Sequence, residues 1–298
     1  MEKQYPHALR GVICAVLGGV FWGFSDTCGQ YLFSHSGVSA LWLTCVRLLA
    51  GGILLTLLAL PRHRDSIRGI LRSPGDLARL VCYGIFGLML CQYAYMTAIS
   101  YSNAATTTIL QNLGLLIVVG VTCLRRRRLP SRRELLALPL ALAGVYLLAT
   151  GGDPHHMALS PQGLLWGLAS AVAMALYTLL PEGLLTRWDR GAVVGLGMLI
   201  GGVVLNLIAR SWTFSVSLEP GGWLAVGTIV LLGTAASFSL IMQGVVDVGP
   251  TKTSMLTFVE PVSATVFSAL WLGTSFSPTD LIGFAAILTT VFLLAKSK

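Results

Sequence analysis

The chain has 298 residues and a formal net charge of +8; 55% of its residues are hydrophobic and only 11% are charged. An ordinary soluble domain carries about 25% charged residues, so this composition excludes a soluble globular protein and indicates an integral membrane protein. A membrane-spanning helix needs about 20 mostly apolar residues. The sequence predicts ten such helices, at residues 11–33, 38–60, 77–99, 103–124, 133–151, 161–182, 191–210, 221–243, 250–273 and 278–295. The predicted fold class is all-α integral membrane.

The distribution of Lys and Arg predicts the orientation of these helices. If the N-terminus is cytoplasmic, the inner segments hold 18 of the 20 Lys and Arg residues, with Arg210 outside and Arg47 inside a span. Cytoplasmic loops carry the excess of Lys and Arg in membrane proteins. We therefore expect a multi-pass protein of the plasma or inner membrane with both termini cytoplasmic. The arginines at 125–128, 132 and 133 are interpreted as a topology anchor beside anionic lipid headgroups rather than a nucleic-acid patch.

A weak internal repeat runs through the chain. Residues 84–149 match residues 230–295 at a constant offset of 146 positions, without a gap, across three consecutive predicted helices. The arginine run 125–128 falls opposite the uncharged stretch 271–274. Equivalent helix ends therefore lie on opposite sides of the membrane, as in the inverted repeats of many secondary transporters.

The other helices follow the repeat with small changes of register. Gly51-Gly52 recur as Gly201-Gly202 at an offset of 150, and Gly11 recurs as Gly163 at an offset of 152. Small residues of this kind allow membrane helices to approach closely. Because five spans per half is an odd number, the second half is inverted, and we expect two inverted five-helix repeats. The predicted repeats are residues 1–151 and 152–298.

Three ionisable residues lie well inside predicted spans: Asp26, Arg47 and Glu260. Charges in the membrane are costly and mark a pathway, a proton relay or a buried pair. At 1.5 Å per helical residue, Asp26 and Arg47 lie at similar depth, roughly 10 and 14 Å below the outer helix ends. Two interpretations stay open: a structural ion pair between helices 1 and 2, or a site in which Arg47 binds a substrate carboxylate and Asp26 tunes it.

Glu260 lies closer to the membrane midplane, next to Pro261 and on one helix face with Thr253 and Thr257. That face is too polar for lipid and should point inward. Burial of a carboxyl group in a medium of low dielectric constant favours its neutral form. Glu260 is therefore a candidate proton carrier, and we expect transport to be coupled to protons. The alternative is a glutamate that only hydrogen bonds to a neighbouring helix.

Further polar and aromatic residues are predicted to line the same cavity. On helix 1, Trp22, Asp26 and Gln30 are spaced by four residues and share one face. An aromatic cavity with a few amides suits a partly apolar amine or amino acid, or a quaternary cation bound by cation–π contact. The candidate substrate-binding residues are Trp22, Asp26, Arg47, Tyr95, Gln111, Asn112, Trp166, Tyr177, Gln243 and Glu260.

Four loose motifs carry a family resemblance over essentially the whole chain. They are Phe21-Trp22-Gly23 in helix 1 and the segments 46–49 in helix 2, 95–105 before helix 4 and 258–262 in helix 9. In order and spacing they resemble EamA-type members of the drug/metabolite transporter superfamily. The resemblance implies ten spans in two halves and export or exchange of small metabolites. The chain departs from the family in helix 4, where residues 111–115 contain no proline.

The leading hypothesis is a secondary transporter that moves a small organic metabolite by alternating access, in the export direction. The alternative is an importer or exchanger of a choline-like or other amine cation. A membrane enzyme or lipid-handling protein is a weaker alternative, because no Ser–His pairing and no histidine inside a span is present. Helices 5 and 10 are rich in Leu and Ala, so they face either lipid or the second subunit of a homodimer.

The sequence predicts no catalytic residue, cofactor or metal. The one metal-like cluster, Asp153-Pro154-His155-His156, lacks the spacing of a closed metal site and is interpreted as a solvated turn. A nucleotide-binding P-loop is also missing from the sequence, which excludes an ATP-driven pump within this chain. The expected partners are the lipid bilayer and a small-molecule substrate, with no nucleic acid.

Overall fold

The computed structural model describes residues 7–153, 155 and 157–295. Ten long helical segments, labelled α1 to α10, account for most of these residues. They are Ala8–His35, Ala40–Ala59, Pro74–Tyr101, Ala104–Arg125, Arg132–Thr150, Pro161–Leu185, Arg190–Ala209, Pro220–Val248, Lys252–Leu272 and Pro278–Ala295. Nine of them within the described chain, α1 to α9, are long and apolar enough to cross a membrane. The apolar part of α10 is shorter, so the tenth span stays a prediction.

The connections after α2, α4 and α6 meet at one end of the helical bundle. There, Nη1 of Arg187 lies 3.5 Å from Oδ1 of Asp76, and Nη1 of Arg125 lies 3.7 Å from Oε2 of Glu182. We call this the arginine-rich end, and the other the opposite end. The arginine-rich end comprises residues 60–79, 125–133 and 182–190, together with the start of α1 and the end of α8. A short surface helix, Arg64–Arg72, lies at this end, and a 3₁₀ turn, Ser211–Thr213, follows α7.

Local sequence explains where several helices begin and end. Ser131 and Glu134 form a capping box at the start of α5, which satisfies backbone N–H groups that have no partner within the helix. The helix α8 ends at Gly249, whose positive φ of 84° favours glycine. The predicted end at residue 243 was wrong by five residues, because α8 continues through Gly244 and packs that glycine against Ala15 of α1.

The helices pack in pairs that draw one member from each predicted half. The helix α1 packs along α8 and α9, and α6 packs along α3 and α4, while α2 packs on α7 and α5 on α10. The α2 and α7 backbones approach each other closely at the repeated glycines. A Cβ atom at Gly52 would lie 2.5 Å from the backbone N of Leu199, and one at Gly202 would lie 2.7 Å from that of Leu49. The repeated glycines therefore permit backbone contact between these two helices.

Four of the helices are irregular near the middle of the bundle. The helices α3 and α8 contain π-helical turns at Tyr83–Met89 and Leu231–Ala236. The α4 segment is interrupted at Asn112 and Leu113, and α9 at Thr257 and Phe258. Wide turns and breaks in membrane helices occur where the backbone borders a cavity or a functional site. The exposed faces of α5 and α10 carry Leu and Ile side chains, and the predicted homodimer stays a prediction.

Some residues of the sequence analysis lie outside the described chain. They are Lys3, Lys296 and Lys298 of the charge count, and Pro154 and His156 of the predicted solvated turn.

Candidate substrate-binding site

A small chamber of about 90 Å³ lies at the centre of the bundle. It is surrounded by side chains from α1, α2, α3, α4, α6, α8 and α9. Seven of the ten candidate residues lie on its wall. The lining residues are Trp22, Asp26, Arg47, Leu88, Cys91, Gln92, Tyr95, Gln111, Met174, Tyr177, Phe238 and Glu260. Residues far apart in sequence therefore meet in one place, as the predicted site requires.

The chamber continues into a larger cavity of about 370 Å³, which we call the vestibule. Trp22, Tyr177 and Glu260 border both spaces. The vestibule extends to Arg190 and Ser254, which are exposed and lie towards the arginine-rich end. Asn112, an eighth candidate residue, lines the vestibule and not the chamber.

The breaks in α4 and α9 place polar residues on this wall. Gln111 is the last residue before the α4 break, and its side chain reaches the chamber. Glu260 lies in the first turn after the α9 break, where the positive end of a helix dipole favours a carboxylate. Asn112 donates from Nδ2 to the carbonyl oxygen of Thr108 at 3.0 Å. Side chains at the breaks thus satisfy part of the interrupted backbone and supply the polar groups of the cavity.

Asp26 and Arg47 form a buried ion pair on the chamber wall. Nη1 of Arg47 lies 3.7 Å from Oδ1 of Asp26, and the two side chains are 5% and 2% exposed. The other Asp26 oxygen, Oδ2, accepts a hydrogen bond of 2.7 Å from the Tyr95 hydroxyl. That hydroxyl lies 2.6 Å from Oγ1 of Thr108 on α4. The carboxylate therefore links α1 to three neighbouring helices.

Arg47 retains hydrogen-bonding capacity beyond this pair. Its Nε and Nη1 atoms are buried and have no hydrogen-bond partner among the described residues. A distance of 3.7 Å is too long for a hydrogen bond, so the contact with Asp26 is electrostatic. Buried donors normally have partners. The side chain lines the chamber, and its guanidinium group is both the ion-pair partner of Asp26 and a donor with buried N–H groups that lack acceptors among the described residues.

Aromatic side chains form the remaining walls. Trp22 meets Phe238 edge to face, with ring centroids 5.4 Å apart, and Tyr83 stacks on Tyr177 at 5.9 Å. Such faces bind apolar groups and, through their quadrupoles, organic cations.

The opposite end of the cavity is closed between α1, α4 and α9. Gln30 accepts at Oε1 from the Ala104 backbone N at 2.9 Å and from the Ser268 hydroxyl at 3.0 Å, and it donates to Thr274 Oγ1 at 2.9 Å. Beside it, Trp271 stacks on Tyr31 at a centroid distance of 5.2 Å. Of the three residues on this face of α1, Trp22 and Asp26 therefore lie on the cavity wall, whereas Gln30 lies in the closure.

Comparison with known proteins assigns the family. The sequence profile of the EamA-like transporter family matches residues 9–150 and 161–296. The chain belongs to this family. It is thus a multi-pass membrane transporter, and the family predicted from the sequence motifs is confirmed.

Two relatives that match this EamA-family protein over nearly their whole length are named as transporters. The uncharacterized inner membrane transporter YicL of Salmonella typhimurium is 36% identical over 96% of this chain and 95% of its own. The uncharacterized transporter YwfM of Bacillus subtilis is 24% identical over 95% of this chain and 92% of its own. A solved crystal structure that is 19% identical shares the fold, with a TM-score of 0.64 over 96% of this chain and 95% of that chain.

Two candidate residues of the EamA-family chain lie away from the described cavity. Trp166 packs edge to face on Tyr93 with ring centroids 5.5 Å apart and borders neither the chamber nor the vestibule. Gln243 also borders neither space; its Nε2 donates to Oδ1 of Asp247 at 3.0 Å. Both residues lie on the helices where the sequence predicted them, α6 and α8. Their side chains, however, contact neighbours outside the cavity.

The sequence analysis missed an ion pair between α1 and α8 at the arginine-rich end. Arg10 donates from Nε and Nη2 to the two oxygens of Asp247, at 2.7 and 2.8 Å. The Asp247 side chain is only 3% exposed. Because the predicted α8 ended before Asp247, this residue was assigned to a loop. The Arg10–Asp247 pair ties the start of α1 to the end of α8 beside the vestibule.

Proposed function

We propose that this EamA-family protein is a secondary transporter that exports a small organic solute, such as an amino acid, an amine or a related metabolite, by alternating access. The observation that carries the proposal is the chamber formed by Asp26, Arg47 and Glu260 at the breaks of α4 and α9. In secondary transporters, discontinuous helices bind the substrate near the midplane. The chamber is small and its walls are mostly apolar and aromatic, which suits a solute of modest size.

The packing of the helices supports two inverted five-helix repeats, residues 1–151 and 152–298. Exchanging α1–α5 with α6–α10 turns the α1–α8 and α1–α9 contacts into the α6–α3 and α6–α4 contacts, all of which occur. The breaks at 112–113 and 257–258 differ by 145 positions, close to the sequence offset of 146. Two halves that rock around a central site would expose it to each side in turn.

The orientation of the charges predicts the side of the membrane to which the vestibule opens, and a vestibule open to the cytoplasm is consistent with export. With both termini and the arginine-rich end in the cytoplasm, the vestibule opens to the cytoplasm and the closure at Gln30 faces outward. The structure then corresponds to an inward-facing state that accepts solute from the cell.

Glu260 is the proposed proton carrier. It borders both the chamber and the vestibule, so its carboxyl group can exchange a proton with water from the arginine-rich end while it contacts the substrate space. Replacing Glu260 with Gln keeps the shape and removes the charge. Glu260→Gln is expected to abolish pH-driven transport in a folded protein, whereas Glu182→Gln, at an exposed glutamate outside the cavity, should leave it unchanged.

A choline-like cation is the second candidate substrate. Trp22, Tyr177 and Phe238 present aromatic faces to the cavity, and Asp26 and Glu260 supply negative charge. This combination is the one that recognises quaternary ammonium groups. The buried Arg47 opposes it.

The deciding experiment is release from proteoliposomes loaded with a mixed pool of amino acids, amines and nucleosides, with and without an imposed pH gradient. Selective loss of a solute, measured by mass spectrometry and missing in protein-free vesicles, supports transport. Loss that depends on the gradient in the wild type and not in Glu260→Gln supports proton coupling. Equal loss with and without protein for every pool contradicts the proposed function.

A further inference from the structure

The charges along the cavity have an order that the proposed function leaves unexplained. Of the described residues that line the vestibule, Arg190 and Glu260 are the charged ones. The inner chamber adds Asp26 and Arg47. A solute that enters from the arginine-rich end therefore meets a cation first, at Arg190, and a second cation at Arg47.

Arg190 is available to bind an anion. It is exposed and is the first residue of α7. The neighbouring carboxylate of Asp189 is otherwise engaged: Oδ1 accepts from the Ala192 backbone N at 3.1 Å, and Oδ2 lies 3.6 Å from Nδ1 of His63. Within the described residues, no carboxylate lies within salt-bridge distance of Arg190. Its charge is therefore free to act on the vestibule.

Arg47 provides an independent indication that the cavity receives an anionic group. Its side chain is 95% buried on the chamber wall, and its Nε and Nη1 atoms lack partners in the described chain. Arg binds carboxylates through parallel N–H donors, which Lys cannot reproduce. With a reorientation of the Arg47 side chain, a substrate carboxylate in the chamber would supply the missing acceptors. The acids already present there are Asp26, which pairs with Arg47, and Glu260, the proposed proton carrier.

We propose that Arg190 is an entry site that captures the carboxylate of the solute at the vestibule mouth, and that Arg47 binds the same group in the chamber. This inference rests on the proposed function and names a substrate class for it: small organic solutes that carry a carboxylate. A fixed cation at the mouth of a narrow, largely apolar vestibule raises the local concentration of anions and repels cations. The arrangement thus disfavours a choline-like substrate.

The test compares wild type, Arg190→Gln, Arg190→Lys and the control Arg68→Gln in proteoliposomes. Arg68 is an exposed arginine at the same end that lines neither cavity space. Two probes are used: a pool of amino acids and a pool of the corresponding amino acid amides, which lack the carboxylate. Entry from the arginine-rich side is measured as apparent KM at low and high salt.

We expect wild type to transport the amino acid pool in preference to the amide pool. Arg190→Gln should raise the apparent KM for the acids about 3- to 10-fold at low salt, with unchanged kcat. In Arg190→Lys the apparent KM should return most of the way to the wild-type value, and in Arg68→Gln it should equal the wild-type value. Near 1 M salt, where the Debye length is about 3 Å, the difference should largely vanish.

Equal KM values for Arg190→Gln and Arg68→Gln overturn the entry site. A preference for the amide pool overturns the carboxylate assignment but leaves the proposed transport intact. If no solute in any pool moves, the proposed function fails, and the inference fails with it.

Discussion

The two ends of the cavity are held together by different kinds of contact. At the opposite end, Gln30 links α1 to α4 and α9 through three hydrogen bonds, beside the stacked rings of Tyr31 and Trp271. At the arginine-rich end, α4 and α6 are linked by Arg125 and Glu182, whose side chains are 60% and 61% exposed. The first contact is a partly buried network, and the second is a single solvated ion pair.

These contacts occupy equivalent positions of the proposed repeats. The offset of 152 relates Gln30 to Glu182, and the offset of 146 relates Arg125 to Trp271. An exposed ion pair contributes about 0–1 kcal/mol, whereas each hydrogen bond in a buried network contributes about 0.5–1.5 kcal/mol. The difference teaches that the contact of the weaker kind lies at the arginine-rich end, where the vestibule opens.

Labelling of cysteines at the two ends should give the largest effect. Ser254→Cys lies in the vestibule, and Ala104→Cys is fully buried beside Gln30. A membrane-impermeant thiol reagent is added on each side, and the modified cysteine is quantified by peptide mass spectrometry. If the outward-facing state is populated at about 1%, the cysteine of Ser254→Cys should react about 100-fold faster than the cysteine of Ala104→Cys. Similar rates at the two sites would contradict the assigned asymmetry.

Removing the hydrogen bonds of Gln30 should weaken the closure at the opposite end, and labelling measures this change. Gln30→Ala deletes three hydrogen bonds, so the bias towards the open vestibule should fall by about 1.5–4.5 kcal/mol. In the Ala104→Cys background this change should accelerate labelling about 10-fold or more. Gln162→Ala, an exposed glutamine at the start of α6, is the matched control. Unchanged labelling in both variants would exclude Gln30 as a closing contact.

The Arg10–Asp247 pair should stabilise the fold more than the hydrogen bond made by Ser160, the N-cap residue of α6. The Ser160 hydroxyl donates to the Tyr101 carbonyl oxygen at 3.0 Å. Arg10→Gln leaves the Asp247 carboxylate with only the Gln243 amide, so the melting temperature should fall by roughly 2–4 °C. Ser160→Ala should cost less, and Arg10→Gln with Asp247→Asn should recover part of the loss. An equal or larger shift for Ser160→Ala would reverse this ranking.

The smallest effect is expected at the exposed ion pair. Glu182→Gln removes a contact worth at most about 1 kcal/mol, so transport and melting temperature should change little. Raising the salt concentration should have the same small effect on wild type. A clear loss of transport in Glu182→Gln would mean that Arg125 and Glu182 act as a gate.

Much of the site was visible in the sequence because the membrane penalises charge. Asp26, Arg47 and Glu260 stood out as ionisable residues in apolar runs, and all three reach one chamber. Helical periodicity was less reliable. It placed Gln30, Trp166 and Gln243 on faces that suited a cavity, but it could not show which neighbouring helix each side chain would meet.

Helix ends were the other source of error. The predicted α8 ended at residue 243, yet the helix continues to Val248, and Gly244 fits closely against α1. The Arg10–Asp247 pair depends on that extra turn and joins residues 237 positions apart. A contact at that separation leaves no local pattern in the chain.

The sequence by itself determined the membrane class, nine of the spans, the family and the three charges within the membrane, because each rests on composition or on a local motif. Only the tertiary structure decided which of these residues meet and which end of the cavity is closed. It also decided that, among the described residues, two donors of Arg47 beside Asp26 have no partner. These features depend on distances between side chains of different helices, and such distances are set by the packing of the whole bundle.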